Sequence, residues 1–501
     1  MDKTLSRNEI LFLLVLYVIF LFLSMQFFGW IVDDLYIYFR YVNNFVNGKG
    51  IVYNSGEYVE GFSGFSWFIL LSLFGYLGLP LELSAKILSL LLALLNLFLV
   101  FKISRKLNPG ILSYFVCILM IFNIPFILWS ASGFEIMLYI FLLLSGFYQI
   151  INLKTGTRNF SLVSVIIFLI AVTRPEGILM SLAYLVFIYI FSGDRTFSFK
   201  AAVLSGLMIV SFLIFRVIYF QDLLPNTYYA KIGQHFFGYY EMRSYKHGVL
   251  YILDFFKHNI QFIPLVILIP FTVKKLISQR SFLFIITIIF LQFFFTVFSG
   301  GDWMVQYRFI IPAIPFLSLA LVICLKEFIV LKKINFTASG VIITVLTLIM
   351  IYNMVSEDKS VIKKETVMWN KLKEFSSDMK KNISSGSLVA NGSSGIIPYY
   401  LEDVSFLDIV GLTNRKIAKD GVRSSAWFEK SLPAYVYAND PGWLIMWKKK
   451  NADGVYTFED ANPCYVDMAR DENFKRYSLY KSYDVYDDVR VELYKNNNTP
   501  R

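Results

Sequence analysis

Long uncharged apolar runs recur along this chain and constrain its fold more than any other feature. A helix needs about 20 apolar residues to cross a bilayer, because its backbone polar groups must all be satisfied within the segment. The chain is 56% hydrophobic and only 17% charged, which is unusual for a soluble protein. It is therefore predicted to be a polytopic membrane protein, an α-helical bundle with 11 transmembrane helices. The predicted spans are residues 10–28, 83–101, 111–129, 134–151, 160–172, 177–191, 201–219, 260–273, 281–298, 309–325 and 334–353.

A further apolar segment, residues 65–78, contains Gly75 and Gly78 and is followed by Pro80. We predict a helix at the membrane interface here rather than a span. With eleven spans, the N-terminus and alternate loops share one side and hold 15 Lys or Arg against 4 acidic residues. The positive-inside rule assigns that side to the cytoplasm. We therefore expect a protein of the bacterial inner (cytoplasmic) membrane, with the remaining loops and the C-terminal region extracytoplasmic.

The formal net charge of +11 is carried by these cytoplasmic loops. No basic stripe interleaved with aromatic residues is left to bind nucleic acid. The expected partner is instead the lipid bilayer itself.

An acidic pair, Asp33 and Asp34, follows the first apolar run by only a few residues. Carboxylates at the edge of hydrocarbon are costly unless they are paired, ligated or used in chemistry. The pair is therefore a functional-site hypothesis, and a solvated loop is the alternative. Two carboxylates alone are an incomplete ligand set for a divalent cation, so a metal requirement stays open and no cofactor is predicted with certainty.

Other residues capable of chemistry also collect in the predicted outer loops, whereas the cytoplasmic loops are short basic links. These outer-loop candidates are Arg40, Glu60, Glu135, Arg174, Glu176, Asn226, Tyr228, Lys231, Asp302, Trp303 and Arg308.

The outer face of a membrane has no nucleotide pool, and the chain lacks a phosphate-binding P-loop or a dinucleotide-binding fingerprint. An activated sugar could arrive there on a polyprenyl phosphate in the lipid. Its transfer needs a base for the acceptor hydroxyl and cations for the departing phosphate. Asp33 or Asp34 suits the first role. Arg174, Lys231 and Arg308 suit the second.

Six sequence motifs carry a family resemblance. Residues 33–63, DDLYIYFRYVNNFVNGKGIVYNSGEYVEGFS, resemble the first outer loop of GT-C membrane glycosyltransferases, in particular the terminal arabinofuranosyltransferase branch. TRPEG, LPNTYYAK, GGDWMVQYRF, IPYY and DIVGLTNRKIA resemble that branch in type and order. The resemblance implies juxtamembrane helices, a polyprenyl-phosphate-linked sugar donor and an inverting transfer to an envelope glycan or glycoconjugate. It places the catalytic acidic residue at Asp33 or Asp34, with Asp33 favoured.

Structural interpretations of several outer-loop residues stay open beside these roles. Glu176 could belong to a tight turn that opens the next span. Asp302 and Arg308 could form a mutual structural pair. Lys231 could be an interface residue whose stem lies along apolar surface.

Beyond the last apolar run, the composition becomes mixed and charged. We predict a transmembrane glycosyltransferase domain over residues 1–355, a helical connector over 356–384 and an extracytoplasmic mixed α/β domain over 385–501. Aromatic residues of this last domain could stack on sugar rings or fill its core; they include Tyr399, Tyr400, Trp427 and Trp443.

Two other function classes stay open. A lipid-linked oligosaccharide polymerase or ligase would share the topology and the donor, but is expected to rely on outer-loop arginines. A membrane transporter would need polar or broken helices near the midplane, where the predicted spans have few ionisable residues.

Overall fold

The computed structural model describes residues 5–153, 159–231, 239–334, 336–423 and 430–498. The chain forms two compact units, each built from three separate stretches of sequence. The membrane unit comprises Met1–Gly29, Leu83–Ser211 and Arg243–Lys359, and the sheet unit comprises Trp30–Glu82, Phe212–Met242 and Ser360–Arg501.

Helices account for most of the described chain. They are α1 (Arg7–Met25), α2 (Asp33–Val46), α3 (Phe65–Tyr76), α4 (Leu81–Leu107), α5 (Leu112–Ile121), α6 (Ile124–Ala131), α7 (Ile136–Asn152), α8 (Phe160–Thr173), α9 (Gly177–Ser192), α10 (Arg195–Phe220), α11 (Asn226–Lys231), α12 (Tyr239–His258), α13 (Ile263–Leu276), α14 (Arg280–Phe298), α15 (Ile314–Leu331), α16 (Phe336–Ser356), α17 (Ser360–Met379), α18 (Ile396–Tyr400), α19 (Arg415–Asp420), α20 (Pro433–Ala438) and α21 (Pro463–Arg470). Short 3₁₀ turns lie at Ile260–Phe262, Ile311–Ala313 and Glu472–Arg476.

Among the described residues, five helical segments are long and apolar enough to cross a membrane, and three helix pairs joined by a bend raise that number to eight. The predicted multi-pass membrane protein is therefore confirmed. The predicted runs at α7, α8 and α9 are helical, but these helices have only 17, 14 and 16 residues. Eleven crossings stay a prediction.

Local sequence explains where these helices begin and bend. Ser6 and Glu9 form a reciprocal capping box that starts α1. Between α5 and α6 the chain turns by 62°, where Asn123 caps α6 and Pro125 occupies its first turn. Apolar residues such as Val18 and Phe22 stay exposed on α1, as expected for a face in contact with lipid.

The apolar segment after the first outer loop forms α3, a helix of 12 residues that is too short to cross a bilayer. It packs on α2, where the Phe45 and Phe68 rings meet edge-on at 5.5 Å. A Cβ on Gly75 would lie 2.8 Å from Val42, so glycine permits this close approach. The interfacial position predicted for the segment stays a prediction.

A mixed sheet follows the last long helix, as the α/β composition predicts. The strands are β1 (Leu388–Asn391), β2 (Ser405–Asp408), β3 (Val422–Arg423), β4 (Lys430–Ser431), β5 (Trp443–Lys450), β6 (Tyr456–Thr457), β7 (Tyr477–Tyr486) and β8 (Val489–Asn496). The main sheet has the order β2-β1-β5-β8-β7, with β6 on β5, and β3 pairs with β4 separately. β1 is parallel to both β2 and β5, and the remaining pairs are antiparallel.

The predicted helical connector contains α17, which packs on this sheet. Phe375 of α17 meets the ring of Tyr483 on β7 at 5.5 Å. The two elements share one compact unit. The three domain boundaries predicted above stay a prediction.

The aromatic residues considered for sugar stacking are largely packed inward. Trp443 is buried and lies edge-on to Tyr480, and Tyr399 packs against Tyr36 at 5.2 Å. Trp427 lies outside the described residues. Trp443 is thus a buried residue of the sheet unit, whereas Tyr399 and Tyr400 are partly exposed.

Candidate active site

The acidic pair forms the first turn of α2, which begins directly at Asp33. Acidic residues stabilise this end of a helix because its unpaired N–H groups carry partial positive charge. The side chains of the pair differ in environment. Asp33 is only 7% exposed, whereas Asp34 is partly exposed.

The Asp33 carboxylate accepts three hydrogen bonds from the loop of residues 391–396, which joins β1 to α18. Its Oδ1 accepts from the Ile396 amide at 2.7 Å. Its Oδ2 accepts from the Ser393 hydroxyl at 3.0 Å and from the Gly395 amide at 3.2 Å. The carboxylate orientation is thereby fixed.

This 391–396 loop has its own internal order. The Asn391 side chain accepts from the Ser393 amide at 3.1 Å and donates to the Ser393 carbonyl at 2.6 Å. The Tyr53 hydroxyl donates to the Ser394 carbonyl at 2.7 Å. Local Asx-type turns of this kind hold a loop in one conformation, so the donors aimed at Asp33 are pre-arranged.

Burial raises the pKa of Asp33 to about 6. The hydrogen bond from Ile396 opposes that rise, the charge of Asp34 adds to it, and the hydrogen bonds from Ser393 and Gly395 lower the pKa again. A carboxylate with such a pKa is ionised at neutral pH and is a stronger base than an ordinary aspartate. This is the range in which general-base assistance is effective.

A second buried carboxylate, Glu60, pairs with Arg216 near the end of α10. Arg216 Nη2 donates a hydrogen bond to Glu60 Oε1 at 3.0 Å, whereas Nε lies 2.9 Å from Oε2 as an ion-pair contact without hydrogen-bond geometry. Burial raises the pKa of Glu60 to about 7, although Arg216 lowers it. The backbone N–H of Asn226 donates to the backbone carbonyl of Glu60 at 2.9 Å, so these two predicted residues are neighbours.

Arg40 is buried in the sheet unit, and its guanidinium donates hydrogen bonds to backbone carbonyls. It donates to Tyr53 at 2.9 Å, to Val404 at 2.8 Å and to Pro398. These bonds tie α2 to the segment that follows α18. They are the contacts of a structural residue.

In the membrane unit, Arg174 is buried between two carboxylates. Its guanidinium contacts Glu176 at 2.6 Å and Glu135 at 2.7 Å, and all three side chains are at most 3% exposed. Gln292 donates to the Phe309 carbonyl at 2.8 Å and lies 3.4 Å from Glu176. Arg174 thus has two carboxylate partners within the protein.

Arg308 and Asp302 form the mutual pair considered above. Two bonds of 2.6 and 2.9 Å join them, and both side chains are nearly buried. The neighbouring Trp303 is 57% exposed. The alternative of a structural Asp302–Arg308 pair agrees with this geometry.

Two predicted residues lie on the short helix α11. Tyr228 is partly exposed, with its ring edge-on to Tyr229, and Lys231 is partly exposed at the helix end. Within the described ranges, no group of three or more His, Cys, Asp or Glu side chains is arranged to hold a metal ion.

Sequence reasoning missed Ser393, Gly395 and Gln292 as contributors to these clusters. The motif NGSSG before IPYY signalled a turn, but nothing local linked that turn to a carboxylate 360 residues earlier. Arg216 lies in the predicted span of residues 201–219 and is not among the candidate residues of the outer loops. Its pairing with Glu60 bridges 156 residues.

Comparison with known proteins places these features in context. Residues 362–494 match a family described as a domain of unknown function, DUF8728. Over 269 residues, or 50% of this chain, the sequence is 25% identical to the terminal beta-(1->2)-arabinofuranosyltransferase of Mycobacterium tuberculosis (strain ATCC 25618 / H37Rv). The match spans 42% of that protein's length.

Two solved structures resemble nearly the whole chain. ArnT from Cupriavidus metallidurans bound to undecaprenyl phosphate has a TM-score of 0.55 at 12% identity, covering 98% of this chain and 99% of that chain. The Archaeoglobus fulgidus oligosaccharyltransferase in complex with Zn and sulfate has a TM-score of 0.53 at 13% identity, covering 94% and 72% respectively. The resemblance predicted from the motifs is thereby confirmed, and this chain has the fold of the GT-C membrane glycosyltransferases.

Proposed function

We propose that this protein transfers a sugar from a polyprenyl-phosphate donor to a cell-envelope glycan or glycoconjugate, with inversion, on the extracytoplasmic face of the membrane. The observation that carries the proposal is the Asp33 carboxylate, oriented by three hydrogen-bond donors. It lies in the loop to which the motif resemblance assigns the catalytic acid. The GT-C fold and the undecaprenyl phosphate bound by ArnT support a lipid-linked donor.

In the proposed reaction, the acceptor hydroxyl gives its proton to Asp33 as its oxygen attacks the anomeric carbon. The new bond forms between that carbon and the acceptor oxygen. The bond from the anomeric carbon to the phosphate oxygen breaks, and its electron pair leaves with the polyprenyl phosphate. A single displacement of this kind inverts the configuration at the anomeric carbon.

Binding of the donor phosphate is the role predicted for Arg174, Lys231 and Arg308. The carboxylate partners of Arg174 and Arg308 already balance their charges, so these contacts favour a structural role for both arginines. For Lys231, which is partly exposed at the end of α11, the phosphate-binding role stays a proposal.

We also propose that all eleven apolar helical segments cross the inner membrane. The short basic loops then face the cytoplasm, as the positive-inside rule requires. The first outer loop and the sheet unit then share the extracytoplasmic side, where a lipid-linked donor presents its sugar.

The test is sugar transfer by the purified full-length protein in proteoliposomes, with a panel of synthetic polyprenyl-phosphate sugars and an envelope glycan extract. Products are identified by mass spectrometry. Asp33→Asn is expected to lower the transfer rate about 10² to 10⁴-fold. Asp34→Asn is expected to have a smaller effect, because its side chain is more exposed than that of Asp33.

The matched control is Asp453→Asn, an exposed aspartate in the turn before β6. It should transfer at the wild-type rate. Wild-type turnover in both Asp33→Asn and Asp34→Asn would refute the role of the acidic pair. Absence of transfer from every lipid-linked donor would refute the proposed function.

A further inference from the structure

The carboxylate of Asp33 is held by side-chain and backbone groups that lie 360 to 363 residues later in the sequence. We infer that Ser393 and Gly395 of the DUF8728-matching region are positioning residues, which set the orientation of the Asp33 carboxylate for transfer. This inference rests on the proposed function. It gives the C-terminal region a part in the reaction besides any contact with an acceptor.

Counting the lone pairs of the carboxylate shows what this arrangement leaves open. A carboxylate has about four lone-pair sites for hydrogen bonds. Ser393 and Gly395 fill both sites on Oδ2, and Ile396 fills one on Oδ1. Among the residues that the structure describes, none fills the remaining site on Oδ1, so the acceptor proton is expected to arrive at that atom.

The close approach of the 391–396 loop to Asp33 requires a glycine at position 395. A Cβ at its position would lie 2.0 Å from the Asp33 carbonyl oxygen and 2.6 Å from its Cγ. Both distances are well inside van der Waals contact, and the nearest atoms belong to backbone and to the carboxylate itself. Any larger residue must therefore displace the start of α2.

The hydroxyl of Ser393 also influences the charge state of the carboxylate. A donor to the ionised form favours that form and lowers the pKa. The titratable groups that face Asp33 are Asp34, which raises its pKa, and Tyr53, whose own pKa is raised well above its usual value so that it stays neutral. Loss of the Ser393 hydroxyl should therefore raise the pKa of Asp33.

A purely structural tether between α2 and the sheet unit is the alternative explanation. Substitution would then change stability and the amount of folded protein, but not the pH dependence of turnover. The pH profile is thus the measurement that separates the two roles.

The experiment measures kcat and donor KM against pH for wild type, Ser393→Ala and the control Ser482→Ala, which removes an exposed hydroxyl from β7. A hydrogen bond to a charged group corresponds to about one pH unit or more. We expect the acidic limb of kcat to move upward by about one unit in Ser393→Ala, with KM unchanged. Ser482→Ala should retain the wild-type profile.

A second variant, Gly395→Ala, tests the orientation independently. Its kcat should fall at least tenfold at unchanged donor KM, whereas Gly206→Ala, where an added Cβ meets no atom within 4 Å, should keep wild-type kcat. Unchanged kcat in Gly395→Ala, or an unmoved acidic limb in Ser393→Ala, would overturn the inference while wild-type transfer still stands. If wild type transfers no lipid-linked sugar, the proposed function itself fails.

Discussion

Replacement of Arg174 separates a structural charge from a phosphate ligand. The guanidinium is 3% exposed and contacts Glu135 and Glu176 at 2.7 and 2.6 Å. Arg174→Ala removes the cation and leaves two carboxylates uncompensated in a buried site. Breaking a buried pair in this way typically costs about 3–5 kcal/mol. Because two carboxylates lose their partner, we expect the upper part of that range.

The measurement is the apparent free energy of unfolding from detergent titration, followed by tryptophan fluorescence in mixed micelles. Arg174→Met combined with Glu135→Gln and Glu176→Gln should recover much of the loss, because neutral side chains need no counter-charge. The control Arg490→Ala breaks a pair whose side chains are 30% and 55% exposed, and should cost only about 0.2–1 kcal/mol. If Arg174→Ala keeps wild-type stability but loses affinity for the lipid-linked donor, the guanidinium serves the phosphate and this reasoning is wrong.

Three further outcomes are expected. The free energy of unfolding should fall by up to about 3 kcal/mol as pH rises from about 4 to 6. The reason is that the pKa of Asp33 is raised to about 6 in the folded state, which binds the extra proton only below that value. Unfolding titrations at each pH should show a weaker pH dependence of this free energy for Asp33→Asn. Arg40→Lys should lower the free energy of unfolding by about 1–3 kcal/mol, since an ammonium cannot reach every carbonyl that the guanidinium serves; wild-type stability in this variant would contradict that role. A cysteine at Ser385 should react with an impermeant thiol reagent in spheroplasts and one at Ser278 should not, and the reverse pattern would refute the proposed orientation.

The apolar pattern was sufficient to predict the helices, because the bilayer length and the cost of unpaired backbone groups act on each segment separately. The pairing of Asp302 with Arg308 could also be predicted, since only six residues separate them. Contacts between residues far apart in the sequence could not be predicted. Arg174 was predicted to bind the donor phosphate, and a single sequence carries no signal that Glu135, 39 residues away, lies beside it.

The acidic pair shows the same difference between features that local sequence determines and features that depend on distant contacts. Its place directly after the first apolar run was evident from local charge and hydropathy, and a juxtamembrane helix there was implied only by the family resemblance. Its environment did not, because the burial of Asp33 depends on a loop from another part of the chain. Nothing in the sequence distinguished Asp33 from Asp34 except the family resemblance, whereas the structure separates them by burial.

The three-part composition of the sheet unit has a consequence for biogenesis. Asp33 leaves the ribosome 360 residues before Ser393, which at about 5–20 residues per second is a delay of roughly 20 to 70 s. During that interval, α2 has none of the loop donors, so the acidic pair cannot reach its mature arrangement. A chain that ends before residue 396 would lack donors of the Asp33 carboxylate, so this arrangement can form only after synthesis has passed that residue.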